Sequence, residues 1–104
     1  MNALTATQPT LDELIQRSAQ QYQAGQFDAA LVTCQHVIAQ SINHHVAWCN
    51  AAASLAALGR WVDALAYARQ ALVLAPQSHE ALNNGAHILA QLGQVDEARS
   101  EERR

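Results

Sequence analysis

Apolar and small residues recur along this chain at steps of three and four, in segments separated by short polar breaks. Leu11, Leu14, Ile15, Ser18, Ala19 and Tyr22 give one face of an amphipathic helix that runs up to Gly25. A second helix, from Phe27 to Gln40, carries the stripe Ala30, Leu31, Cys34, Val37 and Ile38, and Ser41-Ile42-Asn43 breaks the pattern after it. The same arrangement then returns. His45 to Leu58 turns Trp48, Ala51, Ala52 and Leu55 inward, and Trp61 to Leu74 turns Ala64, Leu65, Ala68, Ala71 and Leu72 inward. Pro76 stops that helix, because proline supplies no backbone N–H and clashes with the preceding turn. A third pair opens with His79 to Leu92, bearing Leu82, Gly85, Ala86 and Leu89 at the matching places. Its partner helix is expected after Gly93, with only Val95 and Ala98 as inward residues, and stops at Arg104. Residues 1–10 have no periodicity and read as a loose arm. Thr10 with Glu13 is a capping-box pattern that starts the first helix.

Gly25, Gly59 and Gly93 stand 34 residues apart, each followed two residues on by a large apolar side chain (Phe27, Trp61, Val95) and five on by alanine (Ala30, Ala64, Ala98). A strict period of this length marks stacked supersecondary units, none able to bury its apolar face alone. The expected architecture is therefore an arm over 1–10 and one all-α domain over 11–104, with helix-turn-helix units at 11–44, 45–78 and 79–104.

The second unit, with Trp48, Ala51-Ala52, Leu55, Gly59, Trp61, Ala64, Ala68, Ala71 and Pro76, resembles the tetratricopeptide repeat. That family's pattern places a bulky residue, small residues, a glycine, an aromatic, spaced alanines and a closing proline in this order. The first unit keeps Gly25, Phe27 and Ala30 but has Arg17 where an apolar residue is usual, Tyr22 one place late, and Ile42 in place of proline. The third keeps Leu82, Gly85, Ala86, Leu89, Gly93 and Ala98, then ends eight residues early. The resemblance implies a right-handed α-solenoid with a concave side, lined by the first helix of each pair, that binds proteins or peptides.

Composition narrows the chemistry. Half of the residues are apolar but aromatics make up only 5%, so the core must be built by close approach of alanine-rich helices. The formal charge is −3, with six arginines and no lysine, which offers no basic stripe for nucleic acid. The same charge, with the 34-residue period, argues against the similar pentatricopeptide RNA binders. No apolar run approaches the length that crosses a bilayer, and residues 1–10 lack a targeting pattern, so a cytoplasmic chain without membrane contact is expected. Cys34 and Cys49 have neither disulfide-framework nor zinc spacing and read as reduced small residues of the core or groove. His44, His45, His79 and His87 are spread along the units rather than clustered, so no metal site is expected. Neither a nucleophile–base pair nor a phosphate-binding glycine loop is present, and neither catalysis nor a cofactor is expected.

The groove positions implied by the family are Asp12, Ile15, Gln16, Ala19, Tyr22 and Gln23 in the first unit. Val46, Cys49, Asn50, Ala53, Ala56 and Ala57 follow in the second, and Glu80, Asn83, Asn84, His87, Ala90 and Gln91 in the third. Gln16, Asn50 and Asn84 share one column, so a ladder of amides follows the repeat. Each offers a donor and an acceptor, suited either to an extended peptide backbone or to bonds within the repeat. The contacts expected by this reading are Gln16, Tyr22, Asn50, Asn83, Asn84 and His87. Some family members clamp a C-terminal carboxylate with lysine and arginine. The groove positions here hold neither and place Asp12 and Glu80 in its way, so a neutral or weakly basic ligand is expected.

The short third unit predicts apolar surface at Ile88, Leu89 and Leu92, available for self-association into a homo-oligomer. Two alternatives to peptide binding follow: a self-assembling scaffold, and an N-terminal accessory domain of a larger enzyme such as a transferase. Trp48 is expected to be buried between the helices of its unit.

Overall fold

The computed structural model describes residues 8–102, with side chains through Gln94; residues 1–7 of the expected arm and residues 103–104 lie outside it. Five helices follow in order: α1 (Leu11–Gln23), α2 (Phe27–Gln40), α3 (His45–Ala57), α4 (Trp61–Leu74) and α5 (His79–Glu102). The predicted capping box opens α1. The Glu13 amide donates to Thr10 Oγ1 at 3.1 Å and the Thr10 amide donates to Glu13 Oε1 at 2.8 Å. The bond from the Thr10 amide, with the Thr10 hydroxyl beside it, holds the Glu13 carboxyl below its ordinary range, with a smaller contribution from Arg17. Ser78 opens α5, its Oγ accepting from the Ala81 amide at 3.2 Å.

Helices α1 and α3 end alike, and glycine is the cause. After α1 the Gly25 amide donates to the Tyr22 carbonyl at 3.0 Å and the Gln26 amide to the Gln21 carbonyl at 2.8 Å. After α3 the Gly59 amide donates to Ala56 at 3.0 Å and the Arg60 amide to Leu55 at 2.9 Å. This paired closure needs a left-handed residue at its corner, and Gly25 and Gly59 have φ of 78° and 77°. The chain then reverses, so that α2 packs on α1 and α4 on α3.

Gly93 behaves differently: it is helical, and α5 runs through it as one helix of 24 residues. The expected turn and separate last helix are therefore corrected. A reversal is stabilised by the apolar stripe of the helix that folds back. Helix α2 brings Ala30, Leu31, Cys34 and Val37 into the core, whereas the sequence after Gly93 carries only Val95 and Ala98. Continuing the helix through one glycine costs about 1 kcal/mol, less than a turn that little burial compensates.

The largest core cluster joins Leu31 and Cys34 of α2, Ala51, Ala52 and Leu55 of α3, Ala64 and Ala68 of α4, and Ile88 of α5, with Leu92 packed against it. Ala30, Cys34, Ala47, Ala51, Ala52 and Ala64 are without solvent exposure, which is how a chain with few aromatics fills its interior. Trp48 is only half-buried, contrary to expectation. It lies across the edge of the pair, its Nε1 donating to the Ile42 carbonyl at 2.7 Å and its ring 5.1 Å from that of Tyr67.

On α5 the buried residues are Ala81, Gly85 and Ile88, while Leu82 and Leu89 are 46% and 53% exposed. Of the inward stripe expected there, only Gly85 is inward. The physical reason is that the first helix of a unit has two faces to cover. Ala81, Gly85 and Ile88 meet the preceding unit. Leu82, Ala86 and Leu89 occupy the column of Trp48, Ala52 and Leu55, the face that α4 covers on α3.

Candidate functional site

Helix α3 touches both α1 and α5, so the three first helices form one layer. A cavity of about 410 Å³ opens across that layer, lined by Ser18, Ala19, Tyr22 and Gln23 from α1, Cys49, Asn50 and Ala53 from α3, and Glu80, Asn83 and Asn84 from α5. A second, of about 330 Å³, is lined by Tyr22, Ala53, Ala56, Ala57, Trp61, Asn84, His87 and Ile88. Tyr22, Ala53 and Asn84 belong to both, which makes the two cavities halves of one groove. Alanine forms the floor because its methyl group lets the helices approach while leaving open space above them.

Five of the six expected contact residues line this groove: Tyr22, Asn50, Asn83, Asn84 and His87. Gln16 does not; it is exposed and borders neither cavity. The bonds of its column explain the difference. Asn50 Nδ2 donates back to Ser18 Oγ on α1 at 3.3 Å, and Asn84 Nδ2 donates back to the Cys49 carbonyl on α3 at 3.3 Å, with Cys49 Sγ at the same distance. Each asparagine thus ties its helix to the first helix of the preceding unit. Gln16 has no such neighbour among the described residues, so the column is a pair of interhelical braces rather than a three-rung ladder.

Two aromatic rings flank the groove. Tyr22 packs edge-on against Phe27 with centroids 5.2 Å apart, and Trp61 meets His87 edge-on at 5.7 Å. Trp61, Ser18 and Ile88 are groove residues that the sequence did not disclose. Ser18 reads as a small packing residue, in the column of Ala52 and Ala86, and only its bond from Asn50 reveals its second role. Trp61 opens the second helix of its unit, and its reach into the groove depends on the crossing of α4 over α5.

Both thiols are protected. Burial pushes the Cys34 thiol up. Cys49 is pushed up to about 11, chiefly by burial and then by the nearby Glu80 carboxylate. They are small packing residues whose burial favours the protonated thiol. Among the described residues no three histidine, cysteine, aspartate or glutamate side chains come together to hold a metal ion, and no helix is long and apolar enough to cross a membrane.

Of the expected self-association residues, the structure leaves one exposed. Ile88 is fully buried and Leu92 is packed against the main core, while Leu89 stands 53% exposed. The exposed apolar stripe of α5 is instead Leu82, Ala86 and Leu89.

Antiparallel helix pairs, closed by repeated glycine turns and layered so that the first helices line a groove, define an all-α repeat solenoid. The sequence profile of the tetratricopeptide repeat matches residues 45–78, the unit from α3 through α4. Residues 45–78 therefore match a tetratricopeptide repeat, and the described residues have a fold similar to that of tetratricopeptide repeat structures. No curated protein sequence matches it. Among solved structures it is similar to the type III secretion translocator chaperone SycD of Yersinia enterocolitica, in an alternative dimer, with a TM-score of 0.78 at 22% identity over 92% of this chain and 73% of that one. It is also similar to the first tetratricopeptide domain of Spaghetti (RPAP3), bound to the HSP90 peptide SRMEEVD, with a TM-score of 0.77 at 21% identity over 81% of this chain and 67% of that one.

Proposed function

We propose that the chain is a protein-interaction module that takes an extended peptide segment in the groove across α1, α3 and α5. The observation that carries this reading is the continuous pair of cavities over an alanine floor, bordered by Tyr22, Asn50, Asn83, Asn84 and His87. A concave, partly apolar cleft with a few polar groups is the usual form of a ligand site. The Spaghetti domain, of similar fold, is bound to a peptide, which supports the same use here. Shape and hydrogen bonding carry the binding, and no chemical step is involved.

Ala53 provides the test, since it is half-exposed at the floor shared by both cavities and makes no brace between helices. Peptides selected from a random nine-residue library on the intact chain bind the parent protein and lose at least about tenfold in affinity to Ala53→Phe, with the melting temperature unchanged. Peptides that bind the variant as well as the parent show the groove to be the wrong surface.

A second reading rests on a separate observation, the exposed Leu82, Ala86 and Leu89 stripe of α5. The same column is covered by a packed helix in the preceding unit. A second copy meeting this stripe makes the chain a self-associating scaffold, and the SycD structure of similar fold is a dimer.

A further inference from the structure

The polar groups of the groove are not free to serve equally as donors and acceptors. Ser18 Oγ donates its hydrogen to the Ile15 carbonyl at 2.7 Å, so towards Asn50 it can only accept. Asn50 must therefore present its Nδ2 to Ser18. The Cys49 carbonyl has no hydrogen to give, so Asn84 must likewise present Nδ2 to it. Both amide orientations are dictated by their partners. In each, Oδ1 accepts no hydrogen bond among the described residues, and both asparagines line the larger cavity. Glu80 adds an exposed carboxylate to the same lining. Its field reaches the floor, where it is the second cause of the raised Cys49 thiol. The Tyr22 ring, 40% exposed, lies where the two cavities join, and electron-rich rings attract cations. Gln23 and Asn83 carry rotatable amides that serve either way. Neither Arg17, Arg60 nor Arg69 lines either cavity; Arg17 borders a separate cavity with Val32 and His36, and Arg60 is paired with Asp63 at 2.9 Å.

Resting on the groove-binding reading above, we infer that the occupant is cationic: a peptide segment whose arginine or lysine side chain donates to Asn50 Oδ1, Asn84 Oδ1 and the Glu80 carboxylate beside the Tyr22 ring. An acidic segment meets oriented carbonyl oxygens and a like charge, the opposite of the charge-assisted donors that hold a carboxylate.

The test is the residue preference of the library selection. Selected nonapeptides are enriched in arginine and lysine over the unselected pool. A selected peptide titrated by tryptophan fluorescence, through Trp61 in the groove wall, binds about tenfold more tightly than its counterpart with glutamine at the basic positions. Glu80→Gln, an exposed change that leaves helicity intact, weakens the basic peptide by roughly two- to fivefold, as an exposed charge pair does, and leaves the glutamine counterpart unaffected. Neutral or acidic peptides that are selected and then blocked by Ala53→Phe overturn the cationic assignment and leave groove binding standing. Selected peptides that Ala53→Phe does not block, or a library that yields no binder, overturn both.

Discussion

Asn50 and Asn84 show how one residue type at one column acquires a direction only from its neighbours. An amide is symmetric in its potential, but a serine already donating elsewhere and a backbone carbonyl each leave it a single choice. The consequence is two amide oxygens without a donor among the described residues. The two thiols make a similar point about burial. Cys49 ionises from its ordinary value of 9.0 when unfolded but keeps its proton to about 11 when folded. The unfolded chain thus loses its proton first as pH rises. The stability tied to this thiol is whole below pH 9 and declines from there towards about 11. The melting temperature of the parent is expected to fall across that window more steeply than that of Cys49→Ala; parallel curves would show that the thiol is not the cause.

At the scale of elements, the three equally spaced glycines divide into two kinds. Gly25 and Gly59 hold φ near +78° at helix ends, where an added side chain is strained even though no atom lies within 4 Å. Alanine at either site is expected to destabilise the fold by about 1–2 kcal/mol, the cost of a left-handed conformation with a Cβ. Gly93 is helical and open, so alanine there is expected to stabilise by about 0.5–1 kcal/mol. Urea unfolding of the three variants checks this, and a loss at Gly93 matching the other two would restore the turn that the periodic reading expects. Start and stop signals for α1 to α4 were legible because they are local: Thr10 with Glu13, the glycines with their flanking carbonyls, and Pro76 act within a few residues of themselves. The end of α5 was not legible, because whether a glycine turns the chain depends on how much apolar surface the next helix returns to the core.

For the molecule as a whole, the repeat leaves one helix face without a partner among the described residues. Leu82, Ala86 and Leu89 on α5 hold the column that is packed in the preceding unit, and burying a leucine of this kind contributes about 1.5–3 kcal/mol. If two copies meet there, sedimentation velocity on the parent chain shows a concentration-dependent dimer, and Leu89→Glu shifts it to monomer with its helicity retained. A parent that stays monomeric at high concentration removes the scaffold reading. The groove and this stripe lie on different faces of α5, so Ala53→Phe is expected to leave any dimer intact. Of the candidate site, the column positions were readable from the 34-residue period, and Tyr22, Asn50, Asn83, Asn84 and His87 do border the groove. Gln16 was indistinguishable from Asn50 and Asn84 in sequence, since its difference is the absence of a preceding first helix beside it among the described residues.

The sequence by itself determined helices α1 to α4, the glycine-cornered turns of the first two units and the alanine-built core. Each of these follows from local periodicity and caps, or from a period that repeats them. Only the tertiary structure decided that Gly93 continues a helix, that Ile88 rather than Leu89 is buried, and that the two asparagines give their Nδ2 groups to the preceding first helix. Those outcomes depend on which neighbour is present to cover a face or accept a hydrogen, and that is a property of the packed layers rather than of any single segment.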